Sequence, residues 1–300
     1  MDITSIFVYL KGLIGTIISL LLMLSPIAPA GEAFSAKNAD GLVTSFSVVS
    51  DIHVETNNPD SYNAFRELLA GIKAGENAET AVFLGDNVMN GQEMENIFFY
   101  TALKAVKPAE NMLVALGNHD IGNGQGNYSD FLSSYLGYNH GLTGERYEKP
   151  YYYKVIDGCY FIVLAAEDTC VNTCVMTEEQ LSWLEGVLAE ADAADAPIFV
   201  FNHHPIYSLE GVAYDSLAKL LSGYDNLIYF YGHTHSPITE SSFRAEGGVY
   251  TVGLPRSTET VGYEPGNGVV VEVYEDEVIV RTRNFVTGEW NEALEYSYDF

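Results

Sequence analysis

Six of the chain's seven histidines fall into short polar clusters rather than being scattered: Asp51-Ile52-His53, Gly117-Asn118-His119-Asp120, Asn202-His203-His204-Pro205 and Gly232-His233-Thr234-His235. A fifth cluster, Gly85-Asp86-Asn87, adds a carboxylate. Imidazole nitrogens mixed with the oxygens of Asp51, Asp86 and Asn118, and no thiolate among them, form a ligand set suited to zinc, iron or manganese. So many ligands exceed what one ion can use, which points to two ions. His140 stands apart and reads as a loop residue without a role.

Each cluster follows a short apolar run. Val43 to Ser50, Ala81 to Leu84, Met112 to Leu116, Ile198 to Phe201 and Leu227 to Tyr231 all read as buried strands, and each stops where its cluster begins. Between them, Tyr62, Phe65, Leu68, Leu69 and Ile72 keep helical spacing, and Met94 to Val106 predicts a second helix. Thr177-Glu178-Glu179-Gln180 has the spacing of a capping box and opens a helix through Leu181, Leu184 and Leu188. Tyr151 to Ile156 and Tyr160 to Ala165 pair as a hairpin across Asp157-Gly158. The stretch from Asp120 to Lys149 reads as loop, and Gly247 to Val252, Val269 to Tyr274 and Glu277 to Asn284 as antiparallel strands. Alternating strands and helices give an α/β fold, and open α/β sheets place ligands at the carboxyl ends of their strands.

The remainder of the composition bounds the function. With 41 acidic residues against 14 basic, the net charge is -27, which leaves no basic stripe to displace counterions from DNA or RNA. No stable nucleic-acid partner is expected, and the acidic surface reads as a solvated one. Lys11, the apolar stretch from Gly12 to Leu24 and Ala28-Pro29-Ala30 describe a secretory signal peptide cut after Ala30, with an uncleaved membrane anchor as the competing reading. The folded part, residues 31–300, is then one domain lying outside the cytoplasm: secreted, periplasmic or at the cell surface. Cys170 and Cys174 could close a small disulfide loop, while Cys159 reads as a buried free thiol.

In order and spacing, Asp51-Ile52-His53, Gly85-Asp86, Gly117-Asn118-His119-Asp120, His203 and Gly232-His233-Thr234-His235 resemble the calcineurin-like metallophosphoesterases, over Val43 to the end of the chain. The resemblance implies a four-layer α-β-β-α sandwich of two mixed sheets. It also implies two metal ions, one held by Asp51, His53 and His235, the other by Asn118, His203 and His233, with Asp86 bridging. His203 rather than His204 is the implied ligand, because the family's histidine lies two residues before a proline, here Pro205. His119 would stabilise the transition state or protonate the leaving alkoxide, with Asp120 as the partner of its other nitrogen. Met89 stands where purple acid phosphatases carry an iron-binding tyrosine.

The implied activity is hydrolysis of a small phosphate-ester substrate by a metal-bridging hydroxide, in-line and without a phosphoenzyme. Resemblance to extracytoplasmic cyclic-nucleotide-phosphodiesterase-like members favours a diester over a monoester. The alternatives are a phosphomonoesterase or nucleotidase, and a metal-loaded surface binding protein without catalysis. Arg256 reads as a surface cation, with substrate contact as the sharper alternative.

Overall fold

The computed structural model describes residues 33–76, 78–210, 214–258 and 265–299. The expected leader at 1–30 lies outside the described residues, among which no helix is long and apolar enough to cross a membrane. In chain order the elements are β1 (Leu42–Val49), α1 (Pro59–Lys73), β2 (Ala78–Phe83), α2 (Glu93–Val106), β3 (Asn111–Val114), α3 (Tyr128–Thr143), β4 (Tyr152–Ile156), β5 (Cys159–Val163), β6 (Cys174–Val175), α4 (Glu178–Ala193), β7 (Ile198–Phe201), β8 (Leu209–Glu210), α5 (Tyr214–Leu221), β9 (Leu227–Tyr231), β10 (Phe243–Glu246), β11 (Val249–Gly253), β12 (Asn267–Tyr274), β13 (Glu277–Asn284) and β14 (Trp290–Asp299).

Two six-stranded mixed sheets form, in the orders β14-β13-β12-β1-β2-β3 and β10-β11-β9-β7-β5-β4. β1, β2 and β3 are parallel to one another, as are β5, β7, β9 and β11, while the outer strands join antiparallel. Strand alternation sorts the side chains into layers. Phe46 and Val48 of β1, Phe161 and Val163 of β5, Phe199 and Phe201 of β7 and Ile228 and Phe230 of β9 meet between the sheets. Their neighbours Ile162, Ile198, Val200 and Tyr229 face outward against α4 and α5. Val49, Phe83 and Val114 face the other way, against α1, α2 and α3. The result is the expected four-layer α-β-β-α sandwich.

Phe46 pins the two sheets together. Its ring lies edge-on to Phe161 at 4.8 Å and Phe199 at 4.9 Å, with Phe230 at 6.2 Å. A fully buried phenylalanine of this kind resists truncation by about 3 to 5 kcal/mol. It holds the carboxyl end of β1 beside those of β7 and β9, so the clusters that follow them converge.

Most expected elements are present. The hairpin turn carries Asp157 at φ 51° and Gly158 at φ 81°, the two left-handed residues a tight β-turn between twisted strands requires. Three expectations need correction. The stretch read as loop contains α3, capped by Asn127 and buried through Tyr135 and Asn139, so His140 sits in a helix's last turn. The capping box at Thr177 is completed by Glu167, whose Oε2 accepts from the Thr177 N–H at 2.8 Å, because Gln180 is turned inward to Ala165. The tail strands do not form one antiparallel run: β11 lies in the second sheet, parallel to β9, and only β12, β13 and β14 pair antiparallel with one another.

Candidate metal centre

The strand ends are built from unusual backbone. Asp51, His53, Asp86, His233 and His235 all have positive φ, between 49° and 68°, five of the nine non-glycine residues in that state among those described. Each costs on the order of 1 kcal/mol and persists only where its surroundings fix it. Here the fixing bonds run from Asp51 N to Gly85 O (3.0 Å) and from His53 N to Asp86 O (2.8 Å). Two left-handed residues, rather than strand periodicity, set the directions of Asp51 and His53. Glycines permit the close approach. A Cβ on Gly117 would lie 2.2 Å from Asp86 Oδ1, and one on Gly232 would lie 2.0 Å from Ser50 Oγ and 2.5 Å from Asp51 Oδ2.

All seven expected ligands come together. Asp51, His53, Asp86 and His235 place one ligand atom each within 4.8 Å of one another, as do Asp86, His203 and His233, so Asp86 belongs to both groups. Three imidazole nitrogens crowd Asp51 Oδ1: His235 Nε2 at 2.9 Å, His53 Nε2 at 3.7 Å and His203 Nε2 at 4.0 Å. His203 Nε2 lies 3.2 Å from Asp86 Oδ2 and His53 Nε2 3.7 Å from the same oxygen. Asn118 Oδ1 is 2.9 Å from His233 Nδ1, and its amide donates to Asn123 Oδ1 at 3.0 Å. Asp51, His53, Asp86, Asn118 and His203 are buried, whereas the His235 side chain is 38% exposed. The centre thus has a closed floor and an open edge at His233 and His235.

These residues fit metal ions better than they fit one another. Asp51 Oδ1 and His203 Nε2 are buried and, although His235 and Asp86 lie close, neither makes a well-directed hydrogen bond, which a native interior tolerates only where something else satisfies them. The ring of His203 is set for coordination, since its Nδ1 meets the Leu84 carbonyl at 3.0 Å and so leaves the Nε2 lone pair facing the cluster. Electrostatics tell the same story. Burial would raise the Asp51 and Asp86 carboxyls, but the neighbouring His203 and other imidazoles outweigh it and hold both well below the usual range. Burial would lower His203, yet Asp86 and Asp51 push it up to about 9. His53 is lowered, by burial above all, with the charge of Arg256 contributing.

His119 lies half-buried at the rim, its ring edge-on to His53 at 4.7 Å. Its Nδ1 meets the Met89 carbonyl at 2.6 Å, not Asp120. Asp120 is instead a buried clamp: its carboxylate accepts from the backbone N–H groups of Asn87 (3.0 Å), Val88 (3.1 Å) and Gly117 (2.7 Å) and from the Asn87 side chain (3.2 Å). This ties the Asp86 loop to the Asn118 loop and explains Asn87. Burial and the nearby Asp86 raise the Asp120 carboxyl to about 7. His204 is buried against His233, ring centroids 4.5 Å apart, with Cys170 Sγ 3.8 Å from its Nε2. Cys159, Cys170 and Cys174 are all buried thiols. Sequence reasoning missed Met89 and Asn123 as holders of His119 and Asn118; only the Asn123-Gly124 turn signal pointed to either.

Residues 44–237 match the calcineurin-like phosphoesterase family. Over 118 residues the chain is 32% identical to a human manganese-dependent ADP-ribose/CDP-alcohol diphosphatase, a match covering 37% of this chain and about a third (33%) of that protein's length. Among solved structures, a predicted phosphoesterase from Streptococcus pneumoniae superposes with a TM-score of 0.41 at 12% identity, covering 86% of this chain and 98% of that one. A serine/threonine phosphatase from Saccharomyces cerevisiae gives a TM-score of 0.38 at 13% identity, covering 97% and 90%.

Proposed function

The chain belongs to the calcineurin-like phosphoesterase family, a hydrolase acting on phosphate ester bonds, and on that premise we propose that it cleaves phosphodiesters with two divalent ions at the strand-end cluster. The supporting observation is that Asp86 is common to both ligand groups, as a bridging carboxylate must be. Asp51, His53 and His235 would hold one ion, and Asn118, His203 and His233 the other. When bound, such a pair supplies an activated water and an electrophilic clamp on the phosphoryl oxygens.

The chain's own residues do the rest. Asp86 Oδ1 accepts from the His119 N–H at 2.8 Å, which fixes the backbone of the rim histidine to the floor. With its Nδ1–H donating to the Met89 carbonyl, His119 has Nε2 left to meet a leaving oxygen, to which the doubly protonated ring would give the Nε2 proton. Asp120 positions both loops rather than touching substrate. With 14 cations against 41 acids the chain offers little positive charge beyond metal, which suits a singly charged diester better than a doubly charged monoester. The human relative's diphosphatase name supports a second reading, a doubly substituted diphosphate, in which each phosphoryl group carries a single charge. Residues 1–30 support an extracytoplasmic site of action.

The test is hydrolysis of bis(4-nitrophenyl) phosphate, 4-nitrophenyl phosphate and ADP-ribose by protein loaded separately with manganese, zinc or iron. We expect metal-dependent turnover favouring the diester or diphosphate over the monoester by about tenfold or more. The reverse preference makes the protein a phosphomonoesterase, and silence with metal bound makes it a binding protein.

A further inference from the structure

Beside the open edge of the metal centre lies a cleft of about 320 Å³. It adjoins the loop of the centre through Thr234, the residue between His233 and His235, and is lined also by Ser236, Thr239, Tyr207, Tyr231 and Arg244. Seven of its ten lining residues carry a hydroxyl, which matches a polyhydroxylated group and gives an alkyl chain little to pack on. Arg244 brings a guanidinium, uncommon in a chain with 14 basic residues. Its Nη2 donates to Tyr231 Oη at 3.2 Å and lies 3.5 Å from Glu246 Oε2. Both contacts fall on one nitrogen of a group with five donors, so the fork is oriented yet able to take an anion. Tyr207, 53% exposed, offers a ring face at the rim.

We propose that this cleft is the subsite for the non-reacting arm of the substrate, and that it takes a phosphorylated sugar: hydroxyls on the Ser/Thr wall, phosphate on Arg244. This rests on the phosphodiesterase reading above and names its substrate class. The metal centre alone grips only the scissile phosphate, so selection among diesters falls to surfaces such as this one.

The experiment compares thymidine 5′-(4-nitrophenyl phosphate) with its 3′-phosphorylated counterpart. The two share the scissile bond and leaving group and differ only in an anion on the retained arm. In the manganese-loaded parent the 3′-phosphate should raise kcat/KM about tenfold or more. Arg244→Gln should bring that ratio to about one, and Arg244→Lys should keep part of it. Independently of turnover, titration calorimetry should show Kd for thymidine 3′,5′-bisphosphate rising about tenfold in Arg244→Gln, with the parent-to-variant change for thymidine 5′-phosphate much smaller. A parental ratio near one, or equal changes for both ligands, overturns the proposal while turnover of the unphosphorylated diester keeps the activity. No turnover of either diester overturns both.

Discussion

Two regions of this molecule bury charge, and they handle it in opposite ways. On the outer face of β12–β14, Glu272 is fully buried with both oxygens engaged: Arg281 Nη1 donates to Oε1 at 2.7 Å, and the Lys37 N–H (3.0 Å) and Tyr274 hydroxyl (2.8 Å) donate to Oε2. The Arg281 guanidinium also lies 3.8 Å over the Trp290 ring. At the strand ends, Asp51 and Asp86 are just as buried, but they meet only imidazoles, and Asp51 Oδ1 and His203 Nε2 make no well-directed hydrogen bond. A buried charge answered from within the chain is architecture. One met only by poorly directed imidazoles, on strained backbone, is a receptor for something the chain does not contain.

The sharpest break of that contrast would come from Asp86→Ala. Turnover should fall by at least about 10³-fold, bound metal should drop, and Tm should stop rising with added manganese. Undiminished turnover would remove the basis for distinguishing the two regions. Arg281→Ala should do the reverse, stranding the Glu272 carboxylate at about 3 to 5 kcal/mol and lowering Tm by on the order of 10 °C. Activity per folded molecule should stay within about twofold of the parent. Loss of activity with Tm intact would show that the outer face serves the site.

The smallest effect sharpens the contrast through pH. In metal-free protein the Asp86 and Asp51 carboxylates overcome the effect of burial and keep the His203 proton up to about 9. The unfolded chain releases it near 6.5. That stabilisation, on the order of 3 kcal/mol, is complete below pH 6.5 and is lost as pH rises through 9. Metal needs the neutral ring, so the Tm gained from manganese should grow across the same interval. A gain independent of pH would mean that His203 does not exchange its proton for metal.

The site was more legible in sequence than its surroundings. Histidine and strand-end aspartate are rare enough to mark themselves, and Phe199-Val200-Phe201 announces a strand wherever it stands. The four layers came from family resemblance, and the alternation of Phe46, Val48 and their partners accounts for them physically. Other features depend on direction rather than type. Asp120 was paired with the adjacent His119, because adjacency says nothing about where a carboxylate points; its partners are backbone N–H groups of Asn87, Val88 and Gly117. Positive φ at five of the expected ligand residues leaves no compositional trace, since none is glycine. The helix α3 was hidden by Gly137, Gly141 and its serines, poor helix formers overridden by the burial of Tyr135 and Asn139.

The glycines at the centre bear on how such a protein can change over generations. Gly117 and Gly232 set main chain directly against Asp86 and against Ser50 and Asp51, with no room for a single added carbon. The floor therefore has no gradual variants: a substitution there acts like the loss of a ligand. Thr234, Ser236 and Arg244, on the exposed rim, face no such constraint. Drift is channelled outward, so new substrates can be tried on an unaltered metal-binding floor.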